Sequence, residues 1–313
     1  MRRLEGRAEA LSARYRSGRV GRAIGDRRDA MAYLAQWMPA TYAQVYGAIA
    51  ALGSLVEASW RPHTILDLGS GPGTALWAVA EHWDGPEKAV AVERLLPFTT
   101  LGAELASRSR HRWLRDTRWV EADLAETIFP ESDLVLLAHS LAEIPGGRRD
   151  ALLERAWRAC RGVLVLVEPG TPAGFEVVRR GREELLAMGA DQLAPCPHKG
   201  PCPMEGDVWC HFPQRVARPR FQREIKRAEL GWEDAKYAYV AVSRGVGAGL
   251  PEARLIGVPR HGRGRIRLPL CTPEGIESVE ITRRDKAALR RAKKLRWGAA
   301  LELVEDRGDS KGQ

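Results

Sequence analysis

Cysteine is scarce in this sequence, with five residues in 313. A small secreted module stapled by disulfides needs a far denser set, so that class is excluded and the count suits a reduced compartment. A Gly-x-y period is missing, which excludes a collagen-like chain. With 44% hydrophobic residues the chain can build a core, which excludes wholesale disorder. No internal repeat is visible. The first 28 residues hold no apolar core of a secretory signal, although their arginine-rich, acid-poor character bears a faint likeness to a transit peptide. One uncharged stretch, residues 30–56, invites a membrane reading. It contains Gln36, Pro39, Thr41 and Gln44, and Pro39 divides it, so a buried pair of short helices is expected instead of a transmembrane span.

Lysine is also scarce. Only eight of the 49 basic residues are Lys, leaving 41 Arg against 40 acids and a net charge of +9. Arginine forks suit bidentate phosphate contacts. The excess sits at the ends: residues 1–28 carry +6, residues 283–297 carry +7, and the last sixteen carry −2. That distribution suits arms or a helix that grip a polyanion, and it suits plain solvated faces equally well.

At roughly 150 residues per domain the length suits two domains. Residues 1–60 read as a helical N-terminal region. From residue 61 onward HTILDLG, KAVAVE, RWVEADL, SDLVLLAHS and GVLVLVEP read as five buried strands, separated by helical patterns in GTALWAVAEHW, FTTLGAELASRSRH and RRDALLERAWRAC. This rhythm predicts an α/β fold with a parallel, doubly wound sheet over residues 61–250. Within it, residues 175–188 read as a helix and residues 189–227 as a cysteine-rich, basic insertion. AKYAYVAVSR, residues 235–244, reads as a strand at the sheet edge. Residues 251–313 read as a small β-rich part ending in a basic helix over residues 285–303.

The first strand runs into ILDLGSGPGT. Gly69, Gly71 and Gly73 occupy the strand-to-helix turn, where missing side chains let backbone approach a ligand. The spacing is D-x-G-x-G-x-G, not the dinucleotide G-x-G-x-x-G. Asp67, two residues before the first glycine, repels a pyrophosphate and suits an ammonium group such as that of S-adenosylmethionine (SAM). Glu93 ends the second strand, where a carboxylate can accept ribose hydroxyls, and Asp123 follows the third, where it can accept from an adenine amine. These residues resemble class I SAM-dependent methyltransferases. The resemblance implies that Asp67 and residues 69–73 hold the methionine end, Glu93 the ribose and Asp123 the adenine. The acceptor side is blank. The [D/N/S]-P-P-[Y/F] motif of amino-methylating enzymes is absent after the fourth strand. Cys160 stands at a buried helix end, without the Pro-Cys or Thr-Cys context of a cytosine nucleophile. His139, Ser140 and Glu143 can line the pocket or simply pack, so no catalytic residue is assigned.

The other four cysteines fall late. Cys196, Cys202 and Cys210 lie in PCPHKGPCPMEGDVWCHF, and Cys271 lies in PLCTP. Structural zinc sites usually present tight C-x2-4-C pairs, and none exists here. Wide, proline-braced spacing better suits an iron–sulfur cluster. Zinc, with His198 or His211 recruited, is the alternative.

Taken together, PATYAQVYGAIAAL, ILDLGSGPGTALWA, the PCPH…CPM…WCHF loop, LCTP and KKLRWG resemble the methyltransferase-like proteins of small-ribosomal-subunit assembly, known from mitochondria and bacteria. The resemblance covers nearly the whole chain. It implies a [4Fe–4S] cluster on Cys196, Cys202, Cys210 and Cys271, and contact with rRNA of the small subunit. The expected partners are that subunit and its rRNA, with no membrane and no DNA, and the chain is expected to be monomeric off the ribosome. The expected compartment is a bacterial cytoplasm, with the mitochondrial matrix as the alternative. Arg215, Arg218, Arg220, Arg223, Lys226 and Arg227 follow the cysteine loop, and Arg254, Arg260, Arg263, Arg265 and Arg267 precede Cys271, so both stretches are candidate RNA surfaces. Trp209, Phe212 and Phe221 can stack on bases, with core packing as the plainer role. Two other readings stand beside this one: an RNA-binding assembly factor with a degenerate SAM site, and a small-molecule methyltransferase with a structural zinc.

Overall fold

The computed structural model describes residue 6, residues 24–53 and residues 55–302. The basic segment up to residue 28 lies mostly outside the described residues, as does the tail after residue 302. Helix α1 (Arg27–Gln36) is capped by Asp26, whose carboxylate accepts from the Asp29 N–H at 2.9 Å. Helix α2 (Met38–Leu52) follows at once. The break therefore falls at Trp37, not at Pro39. Proline sits in the first turn of α2, where its missing N–H leaves no helical bond unmade.

The five expected strands are β1 (Thr64–Leu68), β2 (Lys88–Glu93), β3 (Arg118–Glu121), β4 (Ser132–Ala138) and β5 (Cys160–Pro169). They lie in the order β3-β2-β1-β4-β5, and every neighbouring pair is parallel. Successive residues feed opposite faces, as the two-residue period requires. Ile65, Leu134, Leu136, Val163 and Val165 enter one core with residues of α2, α3 (Thr74–Ala80) and the short α5 (Arg112–Arg115), beside α4 (Leu96–Ala106). Leu66, Val135, Leu137, Leu164 and Leu166 enter the other with α6 (Gly146–Ala159) and α7 (Pro172–Ala187). This is the doubly wound α/β fold. The strand order reverses between β1 and β4, which opens a crevice at their carboxyl ends. Leu136 is fully buried on a central strand, so Leu136→Ala is expected to cost about 2–5 kcal/mol in urea denaturation.

Beyond β5 the sheet turns antiparallel. β6 (Asp191–Ala194), β7 (Phe212–Ala217) and β8 (Trp232–Ser243) are joined by the cysteine loop and by α8 (Arg220–Lys226). β8 is not an edge strand. It pairs with β5 along one side, and with β6 and β7 along the other. Its second half is buried on both faces, which an edge position would not demand.

A second sheet contains β9 (Ala253–Leu255), β10 (Arg260–Gly262), β11 (Arg265–Thr272), β12 (Gly275–Thr282) and β13 (Ala300–Leu301). Its core holds Leu255, Ile266, Leu268, Leu270 and Ala292. The expected basic helix is shorter than its pattern suggested. α9 spans only Lys286–Ala292, capped by Asp285. The chain then turns through Gly298, in the left-handed region at φ 94°, and Ala300–Leu301 pair with β9. Pairing with an available strand outweighs continued helix there. No helix among the described residues is long and apolar enough to cross a membrane.

Candidate functional site

The crevice at the ends of β1 and β4 is a cavity of about 440 Å³ lined by Asp67, Gly69, Gly71, Glu93, Asp123, His139, Ser140 and Glu143, among others. The residues singled out as a SAM site thus meet in one place, apart from Gly73, which turns the chain into α3. Gly69 has φ +72°, and a Cβ there would stand 2.4 Å from the Ser140 Cβ, so β1 and β4 close together only around a glycine. Asp67 is fully buried, and neither carboxylate oxygen has a hydrogen-bond partner. Burial, with the Glu93 carboxylate beside it, pushes Asp67 up to about 8. Glu93 is held differently. Its two oxygens accept from the Gly71 N–H at 3.0 Å and the Leu95 N–H at 2.9 Å, while burial still raises it. Asp123 is exposed at the rim and accepts from the Ala125 N–H at 2.8 Å.

The wall of the cavity beyond β4 is polar, and several of its groups are unpaired. His139 directly follows β4 in the left-handed region at φ 58°, with Nε2 buried and unpartnered, and burial lowers it to about 4. The Ser140 hydroxyl is likewise buried without a partner. Burial raises Glu143 to about 7 and Glu168, at the end of β5, to about 8. Cys160 starts β5 at the end of α6, and burial pushes its thiol up to about 12, which leaves it protonated and inert as a nucleophile. Sequence reasoning missed the roof of the cavity. Ile24, Tyr33 and Thr41 reach it from the N-terminal region, and Arg155 braces the loop after β3 through the carbonyls of Leu124, Ala125 and Thr127. No motif signals these residues, because tertiary packing alone brings them there.

Cys196, Cys202, Cys210 and Cys271 line one small cavity behind β8, with Phe175, Met204 and Tyr239. Three come from the loop between β6 and β7, and Cys271 comes from β11 in the second sheet. Burial raises the Cys210 thiol strongly, and Cys196, Cys202 and Cys271 add to it by charge repulsion. Among the described residues, no group of three or more His, Cys, Asp and Glu is placed to hold a single metal ion. His198 Nε2 lies 3.7 Å from the Cys271 sulfur, whereas the His211 ring packs between Trp209 and Trp297.

The basic stretches are partly consumed inside the fold. Arg215 makes a two-pronged pair with Asp234 at 2.8 and 2.9 Å and lies over the Trp232 ring. Arg218 and Lys226 share Glu233, and Arg220 meets Glu224. Arg254 is buried, so it is no surface contact. Arg260, Arg263, Arg265 and Arg267 do occupy exposed positions on the β10–β11 hairpin. Of the aromatics, Phe212 is core, Trp209 is tied by its indole N–H to the Gly170 carbonyl at 3.0 Å, and Phe221 is exposed.

A family profile described as mitochondrial small ribosomal subunit Rsm22 matches residues 27–302. The chain belongs to the Rsm22 family. The match takes in both sheets, the glycine loop and all four late cysteines. Among curated relatives, the human "Ribosome assembly protein METTL17, mitochondrial" is 27% identical over 273 residues, 79% of this chain and 57% of that protein. The "Rsm22-cox11 tandem protein 2, mitochondrial" of Schizosaccharomyces pombe is 26% identical over 258 residues, 69% of this chain and 32% of that protein. The Rsm22-family chain thus spans 57% and 32% of the length of these two relatives. Among solved structures, the 1,6-didemethyltoxoflavin-N1-methyltransferase of Burkholderia thailandensis is 18% identical, with 76% of this chain and 86% of that chain covered and a TM-score of 0.42. The magnesium protoporphyrin IX methyltransferase of Synechocystis PCC 6803 is 14% identical, with 66% and 83% covered and a TM-score of 0.41.

Proposed function

We propose that this chain is an assembly factor of the small ribosomal subunit that binds SAM and a [4Fe–4S] cluster and meets rRNA through its basic surface. It comprises a helical region to residue 60, a methyltransferase-like domain over residues 61–250 with the cysteine insertion 189–227, and a C-terminal part over residues 251–313. Asp67 carries the SAM assignment. A buried carboxylate with both oxygens unpaired is costly unless a cation meets it, and the ammonium of SAM is such a cation. Gly69, Gly71 and Gly73 would shape the loop around the methionine end, Glu93 would take the ribose and Asp123 the adenine. Cys196, Cys202, Cys210 and Cys271 would hold the cluster, which supplies a structural joint between the cysteine loop and the second sheet. Four thiols on a wide loop and a separate strand, without the tight pairs of a structural zinc site, suit a cluster better than zinc. The mitochondrial names of both relatives support the matrix over a bacterial cytoplasm.

The assembly role is tested by mixing the purified chain with isolated small subunits across a salt series. About five phosphate contacts predict a loss of affinity of roughly 100- to 500-fold between 50 and 200 mM salt. Absent or salt-independent binding overturns the rRNA assignment and favours a small-molecule methyltransferase. The missing acceptor motif after β4 favours a second reading, in which SAM is a ligand and not a methyl donor. Labelled SAM incubated with immature subunits separates the two, because transferred label requires an enzyme and binding without transfer requires the second reading.

A further inference from the structure

Two arginines are buried without an acid. Arg182 on α7 is 4% exposed and Arg254 on β9 is 3% exposed, and among the described residues neither has a carboxylate within ion-pair distance. Arg182 donates to the Gln192 side chain at 2.9 Å and to the His198 carbonyl at 2.7 Å. Arg254 donates to the Pro195 carbonyl at 2.7 Å and the Gly298 carbonyl at 2.9 Å, and its Nη2 is buried with no partner. Carbonyls satisfy N–H groups but do not neutralise a charge. A buried cation is retained at such a cost only where an anion offsets it.

Both cations stand beside the cysteines, Arg182 in the lining of their cavity and Arg254 next to Cys271. Arg254 stands directly opposite Cys271 in the β9–β11 register, so the two side chains emerge side by side from one sheet. Arg182 lines the cavity together with Cys196 and Cys202. Arg179, on the next turn of α7, is already paired with Glu176 and Glu183 and is not a third candidate. Thus each guanidinium lies beside one cysteine and also fixes a carbonyl on the loop that carries Cys196.

We infer that Arg182 and Arg254 are the counter-charges of the cysteine centre, positioning residues that let an anionic metal–thiolate group exist in a buried cavity. This rests on the cluster reading proposed above. Four thiolates outweigh the positive core they bind, so the loaded centre is an anion, and two fixed cations beside it offset the desolvation of that charge. Net charge and hydrogen bonds to sulfur also set a cluster's reduction potential. Losing either cation makes reduction harder.

The test uses the full chain loaded anaerobically with ferrous iron and sulfide, alongside Arg254→Met, Arg182→Met and Arg254→Lys. Iron and sulfide content, the midpoint potential and the melting temperature of loaded and stripped protein are measured. Each methionine variant is expected to lose most of its iron, or to keep it at a more negative potential. Its stripped form is expected to melt no lower than the stripped parent, because an unpaired buried charge has gone. Arg254→Lys is expected to restore loading. A purely structural arginine would instead lower both melting temperatures alike. Methionine variants that load fully, with an unchanged potential and an equal gain in melting temperature on loading, overturn the counter-charge role alone. A parent chain that takes up no iron or sulfide overturns the cluster reading, and this inference with it.

Discussion

Asp67→Asn is expected to abolish SAM binding at micromolar concentrations while leaving the ligand-free chain folded. Breaking a buried charge pair by removing one partner costs about 3 kcal/mol or more, roughly a hundredfold or more in Kd. The amide preserves shape, so the loss reads charge and not packing. Acidity sharpens the test. With Asp67 pushed up to about 8, the ligand-free parent holds a proton there at neutral pH. Binding an ammonium requires the carboxylate, so affinity should rise with pH until about 8, and binding should release a proton. Titration calorimetry in two buffers of different ionisation enthalpy measures that release. The same residue makes the ligand-free fold less stable as pH rises. The folded chain keeps a proton that the unfolded chain gives up, and the difference grows between about pH 4 and pH 8. Asp67→Asn should therefore melt above the ligand-free parent at pH 8, with the gap closing toward pH 4. Unaltered SAM affinity in this variant would remove Asp67 from the site.

Cys271→Ser is the second large effect expected. Cys196, Cys202 and Cys210 share one loop, and Cys271 alone comes from the second sheet. A serine hydroxyl is a poor replacement for a soft thiolate ligand. Iron and sulfide uptake should be lost, along with the absorption of the cluster. Limited proteolysis should then cut ahead of β9, releasing a C-terminal fragment that the loaded parent protects. Far-UV circular dichroism should keep the signal of the parallel sheet, because β1–β5 draw on separate cores. Global unfolding would show that the two sheets form one cooperative unit and would contradict the role of the cysteines as a joint.

The central sheet was legible because its strands are continuous apolar runs, and a strand buried on both faces carries its own signature in sequence. β6 and β7 were not legible. DQLA and FPQRVA are short and half polar, and they are strands because β8 offers them an edge to pair with. The same local blindness placed β8 at the edge. At the cavity, the meeting of Asp67, Glu93 and Asp123 was legible because each lies at or just past the carboxyl end of a strand, in a fixed order. Tyr33 was not, since it precedes the glycine loop and reaches the cavity only through the packing of α1 against α4. The four cysteines could be grouped by chemistry, but their convergence is a tertiary fact. Arg254 was misread as surface because it lies among other arginines, and only the pairing of β9 with β11 shows that it faces inward.

β6 and β7 grip the same margin of β8, one at Ala241–Ser243 and the other at Trp232–Tyr237. The cysteine-bearing residues between them form a closed excursion, with both ends fastened to one strand. Ordering such a segment costs the entropy of one anchored loop and not that of a free chain. If the four thiols take up a group, it would enter a loop whose ends the sheet already holds, and its removal would leave that sheet paired. The second sheet, tied in through Cys271, would register that event. On the cluster reading proposed above, loading would be a step separable from folding, and the second sheet would carry its signal to a distant surface.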